Sequence, residues 1–471
     1  MTESLFWAPR AWLDGAWADG VLLRAGADGR WAEVRSGLTD APPGAGVLAG
    51  PTLPGLVDAH GHAFQRAFAG LAERREAGHE HDDFWSWRER MYAVAGRIGP
   101  AELQAIAAQL GVELLRGGYT QVCEFHYLQH DRDGRPYADP LALSWALADA
   151  AAESGIGLTL LPALYERAGF DRPALDPGQR RFALDADAAW RAAQRVTEAR
   201  RPNLTAGLAV HSLRAARAAS IARLRALAEG HAGPIHVHVA EQLREVDDCL
   251  AATGARPVQW LAREGLLDAR WQLVHATHAL PAEIDAVAAA RAGVVICPST
   301  EANLGDGLTD LPGWLAAADG AVALAVGSDS QATRAWREEL RWLEYGQRLA
   351  RRQRNVAAGV ERGRHVASSA ARLFERVLAG GAAAAFGPGT PWGFVPGARA
   401  DLLVVDTADA SLLGLPAERW LDALVFSSPG RPWRDVMVAG RFVVRDHRHE
   451  RAAPIAARFE AAMHELWADA A

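Results

Sequence analysis

The sequence predicts a (β/α)8 barrel joined to a small β domain assembled from both ends of the chain. Three observations carry that prediction. Eight short apolar runs alternate with longer helical stretches between about residues 47 and 330. Both ends read instead as short strands and turns. Ligand-type side chains recur where the apolar runs stop.

The first run, Leu56–Val57, follows the Pro54-Gly55 turn. The next seven are Thr120–Phe125, Gly157–Leu161, Leu204–Val210, Ile235–Val239, Trp271–His275, Gly293–Cys297 and Val322–Gly327. Ala/Leu/Arg/Glu-rich stretches such as 140–154 and 215–229 lie between them and read as amphipathic helices. Buried apolar strands joined by helical crossovers are the pattern of a parallel sheet. Eight of them favour a closed barrel, with a doubly wound open sheet as the competing arrangement. The ends differ. Turn signals at 15–20 and 27–30, the Leu402-Leu403-Val404-Val405 run and the stretch 436–444 around Gly440 indicate short strands that can pair into one unit. The expected division is a small β-sandwich domain from 1–50 and 385–471, and a barrel over 51–384. Gly380–Ala385 is read as the link back.

At 471 residues, half of them apolar and 23% charged, the composition is that of an ordinary globular protein. The formal charge of −7 comes without a basic block, so the footprint of a nucleic-acid binder is missing. No 18-residue apolar run free of charge suggests a membrane span, and Met1-Thr2-Glu3-Ser4 lacks a basic leader segment. Three widely spaced cysteines, Cys123, Cys249 and Cys297, fit a reducing cytoplasm and no thiolate cage. The chain has no lysine: every one of its 50 basic residues is arginine. Schiff-base catalysis, a phosphate-loop lysine and a carbamylated-lysine metal bridge are therefore excluded.

The chemistry is concentrated at strand ends. Asp58-Ala59-His60-Gly61-His62 closes the first run. Residues two apart on a strand share a face, so His60 and His62 can address one point, and paired imidazoles suit Zn²⁺. The chain has four His-x-His pairs. His79/His81 and His447/His449 sit among charged residues and read as solvated loop. Ile235-His236-Val237-His238-Val239-Ala240-Glu241 differs, because a buried run leads to a carboxylate three residues past His238. A zinc deaminase needs such a ligand with a proton-shuttling carboxylate beside it. His238 lies nearer the C-terminal end, where barrel active sites form; His236 reads as a hydrogen-bonded core residue one layer deeper. Strand 6 ends at His275 and strand 8 at Ser328-Asp329-Ser330. Asp329 suits either an oxygen ligand or an acceptor for a proton from water.

This order of strand-end residues resembles the amidohydrolase superfamily. The resemblance implies a distorted (β/α)8 barrel with a small β domain from both termini. With no lysine to bridge two metals, it implies one metal per chain, Zn²⁺ with Fe²⁺ as the alternative. Within the superfamily the chain is most similar to the formimidoylglutamate deiminases. That similarity is carried by the blocks at 62–67 (His-Ala-Phe-Gln-Arg-Ala), 84–89 (Phe-Trp-Ser-Trp-Arg-Glu), 124–127 (Glu-Phe-His-Tyr), 238–242 (His-Val-Ala-Glu-Gln), 299–307 and 339–346. It implies His60, His62, His238 and Asp329 as ligands, Glu241 as proton shuttle and His275 as a donor at the reacting centre. It also implies Gln65, Arg88, Tyr127, His211 and Arg214 as substrate contacts. Arg88 and Arg214 fit that role independently, because a dicarboxylate needs guanidinium forks. The expected reaction is hydrolysis of N-formimino-L-glutamate to N-formyl-L-glutamate and ammonia by a zinc-activated water. The expected setting is a cytoplasmic homodimer acting on a small molecule, with neither nucleic acid nor membrane as partner. Two positions depart from the family pattern. Gly61 stands where serine is common, and Gln331-Ala332-Thr333-Arg334 stands where a histidine and small residues are usual.

Two other readings compete. A deaminase of guanine, pterin or triazine on the same barrel would line its mouth with stacking residues rather than arginines. A non-catalytic metal-binding scaffold would lack the shuttle that Glu241 supplies.

Overall fold

Eight parallel strands form the barrel, numbered here in chain order: β1 Leu56–Gly61, β2 Tyr119–His126, β3 Gly157–Leu164, β4 Leu208–Ser212, β5 Ile235–Val239, β6 Trp271–His275, β7 Gly293–Ile296 and β8 Ala323–Val326. The structure is a computed structural model, and it describes residues 3–75, 82–317, 322–361 and 363–468. The strands pair in sequence order from β1 to β8. All eight fall on the predicted runs. The fourth is interrupted at Gly207, which separates Leu204–Ala206 from Leu208–Ser212. The buried runs of β2 and β3 have no exposed position, as strands covered on both faces require.

The barrel closes through a bridge between Gly61 and Asp329. The Asp329 amide donates to the His60 carbonyl at 2.9 Å, and the His62 amide to the Asp329 carbonyl at 3.2 Å. Below them the Asp58 carboxylate accepts from the Ser328 amide at 2.8 Å and its hydroxyl at 2.6 Å. Gly327 permits this closeness: a Cβ there would lie 2.6 Å from the His60 carbonyl oxygen. The seam between the first and last strands is thus built from the backbone of the expected ligands and from the residues that flank them.

The opposite end of the barrel is plugged by the Ser369–Phe386 helix, started by the Ser368 side chain accepting from the Ala371 amide. Its glycines let it lie on strand backbone, since a Cβ at Gly380 would come 2.1 Å from the Leu324 carbonyl oxygen, so Gly380–Ala385 is helix packed on the barrel and not the link expected. A helix leaves its last carbonyls unpaired. Here the barrel interior satisfies them. His236 Nε2 donates to Ala384 O at 2.8 Å, Cys123 Sγ approaches the same oxygen at 3.6 Å, and Thr159 Oγ1 donates to Ala385 O at 3.1 Å. His236 is therefore the buried, bonded core residue expected.

Both ends of the chain supply a second, nine-stranded sheet. Ser4–Leu13 pairs antiparallel with Ala16–Ala25, and Thr52–Leu53 joins this arm to Leu402–Val405. Phe6 and Phe442 meet edge to face at 5.6 Å although three strands separate theirs in the sheet. The sheet therefore curls until its two arms enclose one apolar core containing Val21, Leu23, Trp31, Leu402 and Met437. A helix, Ala452–Trp467, follows the sheet and returns to the barrel, where Trp467 Nε1 donates to Ala67 O at 3.2 Å.

Candidate metal centre and its pocket

His60 and His62 project from the end of β1, His238 from β5, and Asp329 from the turn after β8. All four are buried. The ligand nitrogens of His60, His62 and His238 lie within 4.8 Å of one another. His238 Nε2 is 3.0 Å from His60 Nε2, and Asp329 Oδ1 is 3.5 Å from His60 Nε2 and 3.3 Å from His62 Nε2. Two of the rings have their tautomers set from outside. His62 Nδ1 donates to Phe125 O and His238 Nδ1 to His211 O, both at 2.9 Å. Each therefore turns the Nε2 lone pair inward, the arrangement that metal-ligating imidazoles use. Burial lowers His60 to about 3 and pulls His62 and His238 downward, so the rings are kept neutral. Burial pushes Asp329 up, but the imidazoles that face it, His60 first, outweigh burial and hold the carboxyl below the usual range.

Lone pairs and a carboxylate facing one point repel unless a cation lies between them. Ligands about 2.0–2.2 Å from one tetrahedral centre stand roughly 3.3–3.6 Å apart. The two Asp329 distances match that edge, the His60–His238 distance of 3.0 Å falls a little short of it, and the N₃O donor set suits Zn²⁺ or Fe²⁺.

Glu241 follows β5 and His275 ends β6, with His275 Nε2 3.8 Å from both Glu241 Oε1 and Asp329 Oδ2. Burial, opposed by His275, raises Glu241 to about 7. For His275 burial pulls down, yet Glu241, Glu301 and Asp329 outweigh it and bring the imidazole to about 10. Ala240, His275, Ala276 and Asp329 all adopt left-handed backbone conformations, with φ between 46° and 69°. Such strain costs on the order of 1–3 kcal/mol per residue and collects where function fixes geometry.

The pocket above the centre encloses about 550 Å³, counted with its opening to solvent. Gln65, Arg88, Tyr127, His211 and Arg214, the five expected substrate contacts, all line it. Gln65 Nε2 donates to Tyr127 Oη at 3.1 Å. Arg88 and Arg214 both lie over Trp85, with guanidinium carbons 4.6 Å and 5.4 Å from its ring. Among the described residues neither arginine makes an ion pair, and Arg88 Nε is buried without a partner. Burial lowers Arg88, and the like charge of Arg214 lowers it further. Two guanidiniums side by side, the Arg88 group partly desolvated, call for an anion.

Three groups at the site were not singled out from the sequence. Trp85 carries the two arginines. Glu245 accepts from the Ala240 and Glu241 amides at 3.3 and 3.1 Å and so shapes the turn that presents Glu241. Glu301 faces His275 Nδ1 at 3.3 Å. Glu245 and Glu301 lie in the first turns of helices, where a carboxylate reads as an ordinary cap. The two departures from the family pattern turn out to be neighbours: a Cβ on Gly61 would lie 3.1 Å from Gln331 Nε2. Of the other His-x-His pairs, His79/His81 lies outside the described residues. His447/His449 is not solvated loop: His447 pairs with Asp406 at 2.9 Å, and His449 is buried and bonded to Ser154 O at 2.7 Å.

The amidohydrolase family profile matches residues 52–443. Over 454 residues the chain is 47% identical to a formimidoylglutamate deiminase from Pseudomonas aeruginosa, covering 95% of this chain and 96% of that one. A 5-methylthioadenosine/S-adenosylhomocysteine deaminase from Halobacterium salinarum is 26% identical, covering 84% and 81%. The crystal structure of an amidohydrolase from Brucella melitensis superposes with a TM-score of 0.89 at 38% identity, over 98% of this chain and 99% of that one.

Proposed function

The chain belongs to the amidohydrolase family, and from that premise we propose that it is a formimidoylglutamate deiminase. It hydrolyses N-formimino-L-glutamate to N-formyl-L-glutamate and ammonia. The observation that carries this reading is the unpaired Arg88/Arg214 couple in the same pocket as the His60/His62/His238/Asp329 cluster. A substrate that carries two carboxylates and an amidine satisfies both. The near-full-length similarity to a protein of that name supports it. A purine or triazine would leave both half-buried guanidiniums without an anion.

His60, His62, His238 and Asp329 hold the metal, which we take to be one Zn²⁺ per chain. When bound, it supplies Lewis acidity that brings a water at the site toward a pKa of about 7. Arg88 and Arg214 fork onto the substrate carboxylates, and Gln65, Tyr127 and His211 complete the wall that orients the amidine. His275 Nε2 points at the reacting centre as a hydrogen-bond donor. Glu241, poised near neutrality, takes a proton from water as its oxygen bonds to the formimino carbon. The bond from that carbon to the terminal nitrogen then breaks. Both protons of the water end on that nitrogen, which leaves as ammonia, and a formamide carbonyl remains.

The division into a terminal domain (1–50 and 385–471) and a barrel (51–384) forms part of this proposal, as does a homodimer. Trp342, Tyr345 and Leu349 are exposed at helical spacing on Trp336–Arg351 and offer an apolar stripe for a second copy. A cytoplasmic setting is supported by three buried free thiols. Among the described residues, no helix is long and apolar enough to cross a membrane.

One assay tests the function: ammonia release from formimino-glutamate, guanine, adenosine derivatives and triazines by zinc-loaded protein. The formimino compound is expected to lead. Preference for an uncharged ring would overturn the assignment. Elemental analysis is expected to return about one zinc or iron per active chain, and two per chain would contradict the ligand set.

A further inference from the structure

We infer that Glu301 is a positioning residue for the reaction, one that acts by fixing which nitrogen of His275 faces the pocket. The inference rests on the reading of His275 as a donor at the reacting centre. His275 closes β6 with φ 69° and Ala276 follows with φ 46°. At such a corner the regular ladder has ended, so the ring direction must come from side-chain contacts. His275 Nδ1 lies 3.3 Å from Glu301 Oε1. A carboxylate can only accept, so Nδ1 carries a proton there, and Nε2 is left directed at Glu241 and Asp329, 3.8 Å from each.

Glu301 is itself held. It is 4% exposed, rides on the Pro298–Leu304 helix, and its Oε1 also accepts from the Cys297 amide at 2.9 Å. Turning the His275 ring would leave Nδ1–H without its acceptor and point the wrong atom at the substrate. The same carboxylate could instead serve only to cap the Cys297 amide. The two roles differ in whether His275 is needed for the effect.

The experiment compares zinc-loaded wild type, Glu301→Ala, Glu301→Gln, His275→Asn and the His275→Asn/Glu301→Ala pair. Glu301→Ala is expected to lower kcat roughly 10–100-fold with little change in KM. Glu301→Gln keeps an acceptor oxygen and is expected to recover most of that loss. In the His275→Asn background, Glu301→Ala should cost nothing further, because the pair acts as a unit. An equal loss in both backgrounds, tracking a lower melting temperature, would reduce Glu301 to a helix cap. A readout independent of turnover is the hydrogen-bonded Nδ1 proton of His275 in ¹⁵N-histidine-labelled protein. It should persist in Glu301→Gln and vanish in Glu301→Ala; its survival in Glu301→Ala would overturn the inference. If wild type releases no ammonia from formimino-glutamate, the functional assignment fails while this ring-proton comparison still decides the role of Glu301.

Discussion

Glu241 owes its near-neutral carboxyl to burial, and the Gln isostere removes the proton site while leaving the shape. Glu241→Gln should lower kcat about 10²–10⁴-fold with metal content near wild type. A parallel loss of metal would make Glu241 a ligand instead. Arg214 lies against the pocket and over the Trp85 ring, so Arg214→Met keeps the stem and deletes the fork. Losing a charge-assisted bond costs on the order of 1.5–3 kcal/mol, or roughly 10–150-fold in kcat/KM. That loss should be specific to the dicarboxylate and small for a formimino compound lacking the carboxylate that Arg214 holds. Equal losses on both would assign Arg214 to the fold. These residues were legible because they stand beside quoted blocks or at the ends of buried runs. Trp85 and Glu301 lie inside two of the family blocks and Glu245 outside them, but the roles of all three stayed hidden, because their partners are fixed by the fold and no spacing announces them.

The strands were legible for a plain reason. Runs covered on both faces are continuously apolar, end at polar residues, and alternate with long amphipathic stretches. Ile235–Val239 and Trp271–His275 have the bounds the sequence indicates. The last helix, Ala452–Trp467, was absorbed into the β-rich end because its alanines give no strong contrast between faces. The closing seam also lay beyond sequence, since it runs through the backbone of His60, His62 and Asp329 and needs the close approach that Gly327 permits. Gly327→Ala would place a methyl carbon 2.6 Å from His60 O. We expect it to cost about 1–3 kcal/mol as an overpacked site does, and to weaken zinc retention in a chelator titration. Unchanged melting and zinc retention together would mean that the seam yields without moving His60.

Over the whole molecule, cooperative unfolding links buried titratable groups to pH. Burial lowers His126 to about 3, with the neighbouring His62 adding to the effect. A base with a depressed folded pKa leaves stability intact above about pH 6.5, where both states are neutral. As pH falls toward the folded value the unfolded chain binds the extra proton and stability is lost. Wild type should therefore lose ground to His126→Asn below pH 6.5, by at most about 1.4 kcal/mol per pH unit. Urea midpoints of the two proteins at pH 7 and pH 5 measure this, and a constant difference would mean that His126 titrates in the fold as it does in the unfolded chain.

The sheet drawn from both ends has a consequence for synthesis. Leu53 pairs with Leu403, about 350 residues later. At roughly 5–20 residues per second a ribosome needs about 20–70 s to cover that distance. Throughout that interval the Ser4–Leu13 and Ala16–Ala25 hairpin can form, but its Ala8, Ala11, Val21 and Leu23 face no partner arm. The nascent chain thus carries an uncovered apolar face for most of its translation, a surface suited to a chaperone that engages emerging chains. Stalled chains that stop short of residue 402 should keep this face open to proteolysis, and chains extended past Val444 should close it.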